Sequence, residues 1–284
     1  MRFFNSLAGR LSQVRRSRLA APALLMASLL MTGGIVAVIT PASATKYSAD
    51  ADAIAKGRAL FLVGCSSCHG KNAEGIQTQG GGQYGPSLVG VGAAAVHFQM
   101  ETGRMPMANP GVQAPRKTVI YNQDEIDSIA AFIASVGPGP AEPTEAEWSV
   151  AGATNEQIVR GGELFRTNCT ACHNFAGSGG ALPGGKLAPA LTGVAEKHIY
   201  EAMLTGPQQM PVFSDGVMTP QDKRDVIAYL KSTESAPGYG GTSMGALGPV
   251  AEGVFVWIVG LGALVGFAVW IAAHTARTKK GSNA

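Results

Sequence analysis

Hydrophobic residues form two long stretches, one near each end of the chain, with shorter periodic patterns between them. The first stretch runs from Leu19 to Ile39, and the second runs from Gly253 to Ala273 without a charged residue. About 20 apolar residues in a helix are enough to cross the hydrocarbon core of a bilayer. Basic residues follow the second stretch, so the sequence predicts a transmembrane helix at 251–274 with its C-terminus in the cytoplasm.

Between these stretches, apolar residues recur at spacings of three and four, which is typical of amphipathic helices. Asn122 is expected to cap one of these helices, and Gly57 lies on the apolar face of another, where it leaves room for a second helix to approach closely. The predicted helices run from Asp50 to Leu62, from Ala93 to Thr102, from Asp124 to Val136 and from Asp222 to Leu230.

The N-terminus has the layout of a signal peptide. Residues 1–18 are rich in arginine, the apolar stretch follows, and Ala42-Ser43-Ala44 then offers a small-residue cleavage site before Thr45. The apolar stretch is long for a signal peptide and close to the length of a membrane span. Residues 1–44 are therefore predicted to be a signal peptide or a retained signal-anchor helix. Either one places the following chain outside the cytoplasm.

Charge is distributed unevenly. The chain has 22 Lys and Arg against 19 Asp and Glu, yet eight of the basic residues lie in two terminal segments that contain no acidic residue. The middle is therefore acidic, and basic margins next to membrane segments are typical of the cytoplasmic side. We expect no binding to nucleic acid, because the middle contains no basic stripe. The eight residues are Arg2, Arg10, Arg15, Arg16, Arg18, Arg277, Lys279 and Lys280.

Segments rich in Gly and Pro divide the chain. One begins at Gly137 and breaks any helix, and another, from Ser235 to Pro249, is rich in Gly, Ala and Ser. The predicted order is a signal peptide or signal-anchor at 1–44, a first domain at 45–137, a linker at 138–153, a second domain at 154–234, a tether at 235–250, the transmembrane helix at 251–274 and a basic cytoplasmic tail at 275–284.

A Cys-x-x-Cys-His pentapeptide occurs once in each domain. This pattern is the attachment site of a c-type haem, in which two thiols add to the vinyl groups and the histidine becomes an axial iron ligand. No other cysteine remains to form a disulfide, so the sequence predicts two covalently bound haem c groups. The residues are Cys65, Cys68 and His69 in the first domain, and Cys169, Cys172 and His173 in the second.

Two other readings of the cysteines are weaker. Paired Cys-x-x-Cys knuckles of a structural zinc site are usually separated by about 15–20 residues, and here about a hundred residues intervene. A thioredoxin-like redox motif requires a βαβ context, which the helical pattern does not provide. The histidine directly after each pair favours haem.

The surroundings of the pentapeptide are duplicated as well. The motif Gly-x-x-Leu-Phe stands eight residues before the first cysteine in both domains, beginning at Gly57 and at Gly161. A repeat near 100 residues is too long for a solenoid and indicates two domains of one fold. The other matched pairs are Pro86-Ser87-Leu88 with Pro189-Ala190-Leu191, Thr102-Gly103 with Thr205-Gly206, and Met105-Pro106 with Met210-Pro211.

Each repeat resembles a class I cytochrome c, with an N-terminal helix, the haem motif, a Pro-x-Leu loop, a Met-Pro loop and a C-terminal helix. The resemblance covers roughly residues 50–136 and 155–233. It implies an all-α fold with two tandem cytochrome c domains, and axial iron ligation by the motif histidine and a loop methionine. A six-coordinate iron suits electron transfer rather than substrate chemistry. The implied pairs are His69 with Met105 and His173 with Met210.

Met107 is an alternative ligand for the first iron, because Met105 and Met107 flank Pro106. We expect Met105, since Met210 in the second repeat is likewise followed by proline. The separation from the motif histidine then also agrees between the repeats to within one residue. A proline restricts the preceding residue to extended backbone conformations, which helps to hold the ligand.

Three further histidines lie outside the duplicated pattern. His97 and His198 do not occupy equivalent positions in the two repeats. Both are expected to be surface or loop residues, and His274 is expected at the membrane interface.

Two fused haem domains with a C-terminal anchor resemble the dihaem cytochrome c (cytochrome cc) subunits of actinobacterial-type cytochrome bc1 complexes. That resemblance implies a subunit that takes electrons from the Rieske iron–sulfur protein and passes them between its haems to the CuA centre of an aa3-type cytochrome oxidase. It implies cytochrome b as a further partner, and that quinol binds there rather than on this chain. The enzymatic activity, that of a quinol–cytochrome c oxidoreductase and translocase, is then a property of the whole complex, of which this chain is the electron-transfer subunit.

Two other functions remain open at this point. The dihaem subunit of a cbb3-type oxidase also carries tandem haem domains, but it is normally anchored at its N-terminus. A dihaem peroxidase needs an iron that is open to peroxide, and the Met-Pro sequence in both repeats disfavours that. The expected location is the cell membrane, with the haem domains on the extracytoplasmic side.

Overall fold

The computed structural model describes residues 20–39, 50–235 and 250–280, which are mostly helical. Helix α1 (Ala20–Ile39) corresponds to the first apolar stretch and belongs to a compact unit of its own. The predicted cleavage site at 42–44 and most of the predicted tether lie outside the described residues.

The described residues of the first domain form four helices and one short hairpin. Its elements are α2 (Ala51–Gly64), α3 (Ser66–His69), β1 (Ile76–Gln77), β2 (Gln83–Gly85), α4 (Gly92–Glu101) and α5 (Gln123–Ser135). The three predicted helices of this domain agree with α2, α4 and α5 to within two residues at each end.

The second domain repeats this order. A short helix, α6, lies in the predicted linker and packs against α9 and α10. The last helix is longer than predicted and extends to Ser235. The elements are α6 (Glu145–Trp148), α7 (Asn155–Asn168), α8 (Thr170–His173), β3 (Gly180–Leu182), a 3-10 turn (Pro183–Gly185), β4 (Lys186–Ala188), α9 (Glu196–Thr205) and α10 (Pro220–Ser235).

In each domain the first and last long helices cross at a glycine. A Cβ atom on Gly57 of α2 would lie 1.9 Å from the carbonyl oxygen of Ser128 in α5. A Cβ atom on Gly161 of α7 would lie 1.8 Å from the carbonyl oxygen of Asp225 in α10. Only glycine permits these contacts, which confirms the role expected of Gly57.

Reciprocal hydrogen bonds fix the starts of two of these helices. The Asn122 side chain accepts a hydrogen bond from the Glu125 N–H, and the Glu125 carboxylate accepts one from the Asn122 N–H, so Asn122 caps α5 as predicted. Thr154 and Gln157 make the same arrangement at the start of α7. These caps satisfy backbone N–H groups that a helix leaves without internal partners.

Each domain has a separate apolar core built on an aromatic residue four positions before its first motif cysteine. Phe61 packs against Phe132 with the ring centroids 5.2 Å apart, and Phe165 packs against Tyr229 at 5.6 Å. Both phenylalanines are fully buried. Their neighbours in the two cores include Ile126, Ile129 and Ile133 in the first domain, and Ile199, Val226 and Ile227 in the second.

Two short antiparallel hairpins were not expected from the sequence. One pairs β1 with β2, and the other pairs β3 with β4. Their strands have only two or three residues and lie in glycine-rich loops, so they show no alternation of apolar and polar positions from which a strand is predicted. The fold is otherwise the predicted helical one.

The C-terminal helical segment comprises α11 (Val250–Phe255), a π-helical stretch (Val256–Leu261) and α12 (Gly262–Lys280). Within the described residues, one helical stretch, Gly253–Ala273, is long and apolar enough to cross a membrane. It coincides with the second apolar stretch of the sequence. The side chains of 274–280, including His274, lie outside the described ones.

Replacing Gly161 by alanine should destabilise the second domain by about 3 kcal/mol, since the added methyl group must displace the backbone of α10. Gly216→Ala is the control, because no atom lies within 4 Å of the position of its Cβ. Denaturant unfolding of the intact chain, followed by circular dichroism, measures both. Equal stability of the two variants would contradict the close crossing.

Candidate haem-binding sites

Each Cys-x-x-Cys-His pentapeptide forms one helical turn directly after the first long helix of its domain. The Cys65 N–H donates to the Phe61 carbonyl at 2.8 Å, and the His69 N–H donates to the Cys65 carbonyl at 3.0 Å. The equivalent bonds of Cys169 and His173 measure 2.9 Å each. Both motifs therefore bring two thiols and one imidazole together on a single short turn.

A proline carbonyl orients the motif imidazole in both domains. His69 Nδ1 lies 2.8 Å from the Pro86 carbonyl oxygen, and His173 Nδ1 lies 2.9 Å from that of Pro189. Because a carbonyl only accepts, Nδ1 carries the proton and the lone pair lies on Nε2. This is the tautomer that an axial ligand needs. The matched Pro-x-Leu sequences mark the positions of these two carbonyls. The sequence match alone does not predict that the carbonyls accept a hydrogen bond from the motif histidines.

The loop that follows each motif is held by the same backbone hydrogen bonds. The Gly75 N–H donates to the His69 carbonyl at 2.7 Å, and the Gly179 N–H donates to the His173 carbonyl at 2.9 Å. The residue after α3 is Gly70, with φ of 77° and ψ of 161°, and the residue after α8 is Asn174, with φ of 66° and ψ of 162°. Positive φ is uncommon for residues other than glycine, and asparagine is among those that adopt it most often. The duplication thus extends to the backbone around both histidines.

Burial favours the neutral forms of Cys65, Cys169 and His173. Desolvation, followed by the neighbouring Cys68 thiol, raises the pKa of Cys65 to about 11. Desolvation and the Cys172 thiol likewise raise the pKa of Cys169 to about 11. Desolvation lowers the pKa of His173, and the hydrogen bond to Pro189 opposes this only in part. At neutral pH the Cys65 and Cys169 thiols are therefore protonated, and the His173 imidazole is uncharged.

The cysteines do not form a compact metal-binding cluster. Among the described residues, groups of three or more metal-ligating atoms within 4.8 Å of one another occur only among His and Glu side chains. A zinc site would need the thiolates to converge on one point. The thiol, imidazole and loop arrangement instead fits covalent attachment of haem c.

Both proposed methionine ligands pack against the core of their domains. Met105 lies in the loop between α4 and α5 and packs against the first core, and Met210 packs against the second. Met107 lies beside Gly111, with its Cε 3.7 Å from the position of a Cβ on that glycine. Met105 and Met210 thus both contact the cores of their domains, whereas the contact of Met107 is with Gly111 of the same loop.

The expectation that His97 and His198 are surface or loop residues is wrong. His97 is fully buried in α4, with Nδ1 2.7 Å from Glu101 Oε1. His198 lies in α9 with a side chain only 14% exposed, and its Nδ1 is 3.1 Å from Glu201 Oε2. Helices α4 and α9 pack against each other, so both histidines lie where the two domains meet. No local pattern indicates a contact between residues of different domains.

The fold and the two sites define a c-type cytochrome with two cytochrome c domains. Residues 54–137 match the family model "Cytochrome c", and residues 156–230 match the model "Cytochrome C oxidase, cbb3-type, subunit III". The cytochrome bc1 complex cytochrome c subunit of Mycobacterium bovis is 42% identical over 274 residues, which cover 95% of this chain and 96% of that protein. The chain belongs to this family of cytochrome bc1 complex cytochrome c subunits.

Subunits with the same name from other organisms are similar over most of both chains. The one from Corynebacterium efficiens is 44% identical over 272 residues, covering 91% of this chain and 90% of its own length. The one from Mycobacterium leprae is 43% identical over 256 residues, covering 88% of this chain and 86% of its own length. Membership of the family makes the chain an electron-transfer component of a bc1 complex, and its cytochrome c domains imply covalently bound haem c.

Replacing Met105 by leucine should remove about half of the weak near-infrared charge-transfer band of Met-ligated ferric haem, because one of two irons loses its thioether ligand. The matched control, Met107→Leu, should leave the band nearly intact. Near-infrared absorption of the oxidised protein measures both. Loss of the band in the Met107 variant alone would transfer the ligand role to Met107.

Proposed function

We propose that this chain accepts electrons from the Rieske iron–sulfur protein of a menaquinol-oxidising bc1 complex and delivers them to the CuA centre of an aa3-type cytochrome oxidase. The observation that carries the proposal is the repeated site: two motif histidines in one chain, each oriented by a proline carbonyl at nearly the same distance. Two sites in one bc1 subunit support an electron path within the chain, without a separate soluble carrier.

We assign the same four ligand roles in each domain. The two cysteines form thioether bonds, the motif histidine is one axial ligand, and the loop methionine is the other. Bound haem c supplies a one-electron carrier, and a thioether ligand favours its ferrous state and raises its potential. The proposed residues are Cys65, Cys68, His69 and Met105 in the first domain, and Cys169, Cys172, His173 and Met210 in the second.

A dihaem subunit of a cbb3-type oxidase is the second candidate. The match of residues 156–230 to a cbb3-type family model favours it for the second domain. Relatives that cover 95% of the chain are named as bc1 subunits, and they account for both domains and the C-terminal segment together. A dihaem peroxidase is less suited still, because a methionine packs on the core of each domain and would close the iron to peroxide.

We propose that Gly253–Ala273 anchors the chain in the cell membrane with the haem domains outside the cytoplasm. The stretch has the length and composition of a span, and the sequence places basic residues directly after it. Gly262 and Gly266 are spaced for close helix packing, and no described atom lies within 4 Å of a Cβ on either. That face is therefore available to a membrane helix of cytochrome b, the subunit to which we assign quinol oxidation.

Gentle detergent purification through an affinity tag on this chain tests the proposal. We expect cytochrome b, the Rieske protein and the CuA-containing oxidase subunit to co-purify, with two haem c per chain. Replacing Gly262 and Gly266 together by leucine should lower the yield of partners by weakening helix contacts, while haem c content stays the same. Recovery of a cbb3-type catalytic subunit instead would support the second candidate.

A further inference from the structure

Helices α4 and α9 bring charged side chains from both domains together. Lys197 of α9 lies at the centre, with Nζ 2.9 Å from Glu101 Oε1 and 2.8 Å from Glu142 Oε1. Its distance to Glu201 Oε1 is longer, at 3.8 Å. Three carboxylates thus surround one ammonium group. The imidazoles of His97 and His198 also contact Glu101. Carboxylates that outnumber the fixed cations around them favour a further cation.

Glu201 has an unusual environment. Its side chain is fully buried, and Oε1 has no hydrogen-bond partner among the described residues. Desolvation by burial raises the pKa of Glu201, although His198 and Lys197 oppose this. A buried carboxylate oxygen without a hydrogen bond is rare in folded proteins, and a bound cation is one of the groups that can satisfy it.

Three possible metal ligands meet at this carboxylate. His198 Nδ1 lies 3.1 Å from Glu201 Oε2 and 3.7 Å from Glu101 Oε2. One ligand atom from each of the three residues lies within 4.8 Å of the others. Zinc binds imidazole nitrogen and carboxylate oxygen at about 2.0–2.2 Å, so the corners of its tetrahedron are about 3.4 Å apart. The two measured distances bracket that value.

We propose that Glu101, His198 and Glu201 bind one divalent transition-metal cation of the Zn²⁺ type, which joins α4 of the first domain to α9 of the second. Imidazole and carboxylate donors suit this class of ion, and a water molecule completes a three-residue site. Lys197 does not prevent binding, because its shortest contact is with Glu142 and can be kept when the ion takes the other two carboxylates.

A second cluster of His97, Glu101 and Glu142 is less suitable. Its Glu142 is engaged by Lys197, and its Glu101 Oε1 already accepts hydrogen bonds from Gln123 and Lys197. The oxygen without a partner belongs to Glu201, in the first cluster. The observations therefore favour that one.

Zinc binding to the full chain with its haems, purified with a tag that contains no histidine, tests this inference. Isothermal titration calorimetry with ZnSO4, and metal analysis after dialysis, should both show one bound zinc ion per chain. Glu201→Gln and His198→Gln should each weaken binding by at least about tenfold, because each removes a ligand. Glu196→Gln is the matched control on the same helix, since Glu196 accepts a hydrogen bond from the Val150 N–H instead. It should bind zinc like the parent.

The Lys197→Met variant is an independent test, because it should change the affinity for zinc in the opposite direction to the Glu201 and His198 variants. Removing the ammonium group that competes for Glu101 and Glu201 should tighten zinc binding, whereas general damage to the interface would weaken it. Haem content and the visible spectrum show whether each variant has folded. The proposal is overturned if the parent binds no zinc, if the Glu201 and His198 variants bind like the parent, or if Lys197→Met binds more weakly.

Discussion

The close crossing of the first and last long helices is the contact on which each domain depends. At Gly57 and Gly161 the helix backbones approach so nearly that any side chain would collide with a carbonyl of the opposite helix. Phe61 and Phe165, four residues further along, are thereby buried in the two cores. The haem motif begins four residues after each phenylalanine, so the crossing determines where both motifs are anchored.

The motif turn and the proline carbonyl then define the chemistry of each site. One end of the imidazole is fixed by a hydrogen bond to Pro86 or Pro189, which leaves the other nitrogen as the donor. A ligand held in this way loses little freedom when it binds iron, and the hydrogen bond tunes its basicity. The same arrangement in both domains supports similar roles for the two motif histidines.

Local sequence patterns predicted most of what is local in this structure. The helix period predicted α2, α4 and α5, and the position of Gly57 on an apolar face predicted the close helix approach there. The matched motifs predicted which cysteines and histidines lie together on one turn. Contacts between domains were not predictable in this way. His97 and His198 have neighbours that are distant in sequence, and the partners of Lys197 come from three separate segments. The short hairpins were missed because glycine-rich strands of two or three residues carry no periodic signal.

Both proposed haem domains should take part in one electron path. Stopped-flow absorption of the purified complex at the c-type haem band tests this most directly. The complex is first reduced with quinol in the absence of oxygen and is then mixed with oxygen. The account predicts that two haem c per chain are reduced and then reoxidised, each at least as fast as steady-state turnover. A response from only one haem per chain, or a second haem slower than turnover, would contradict it.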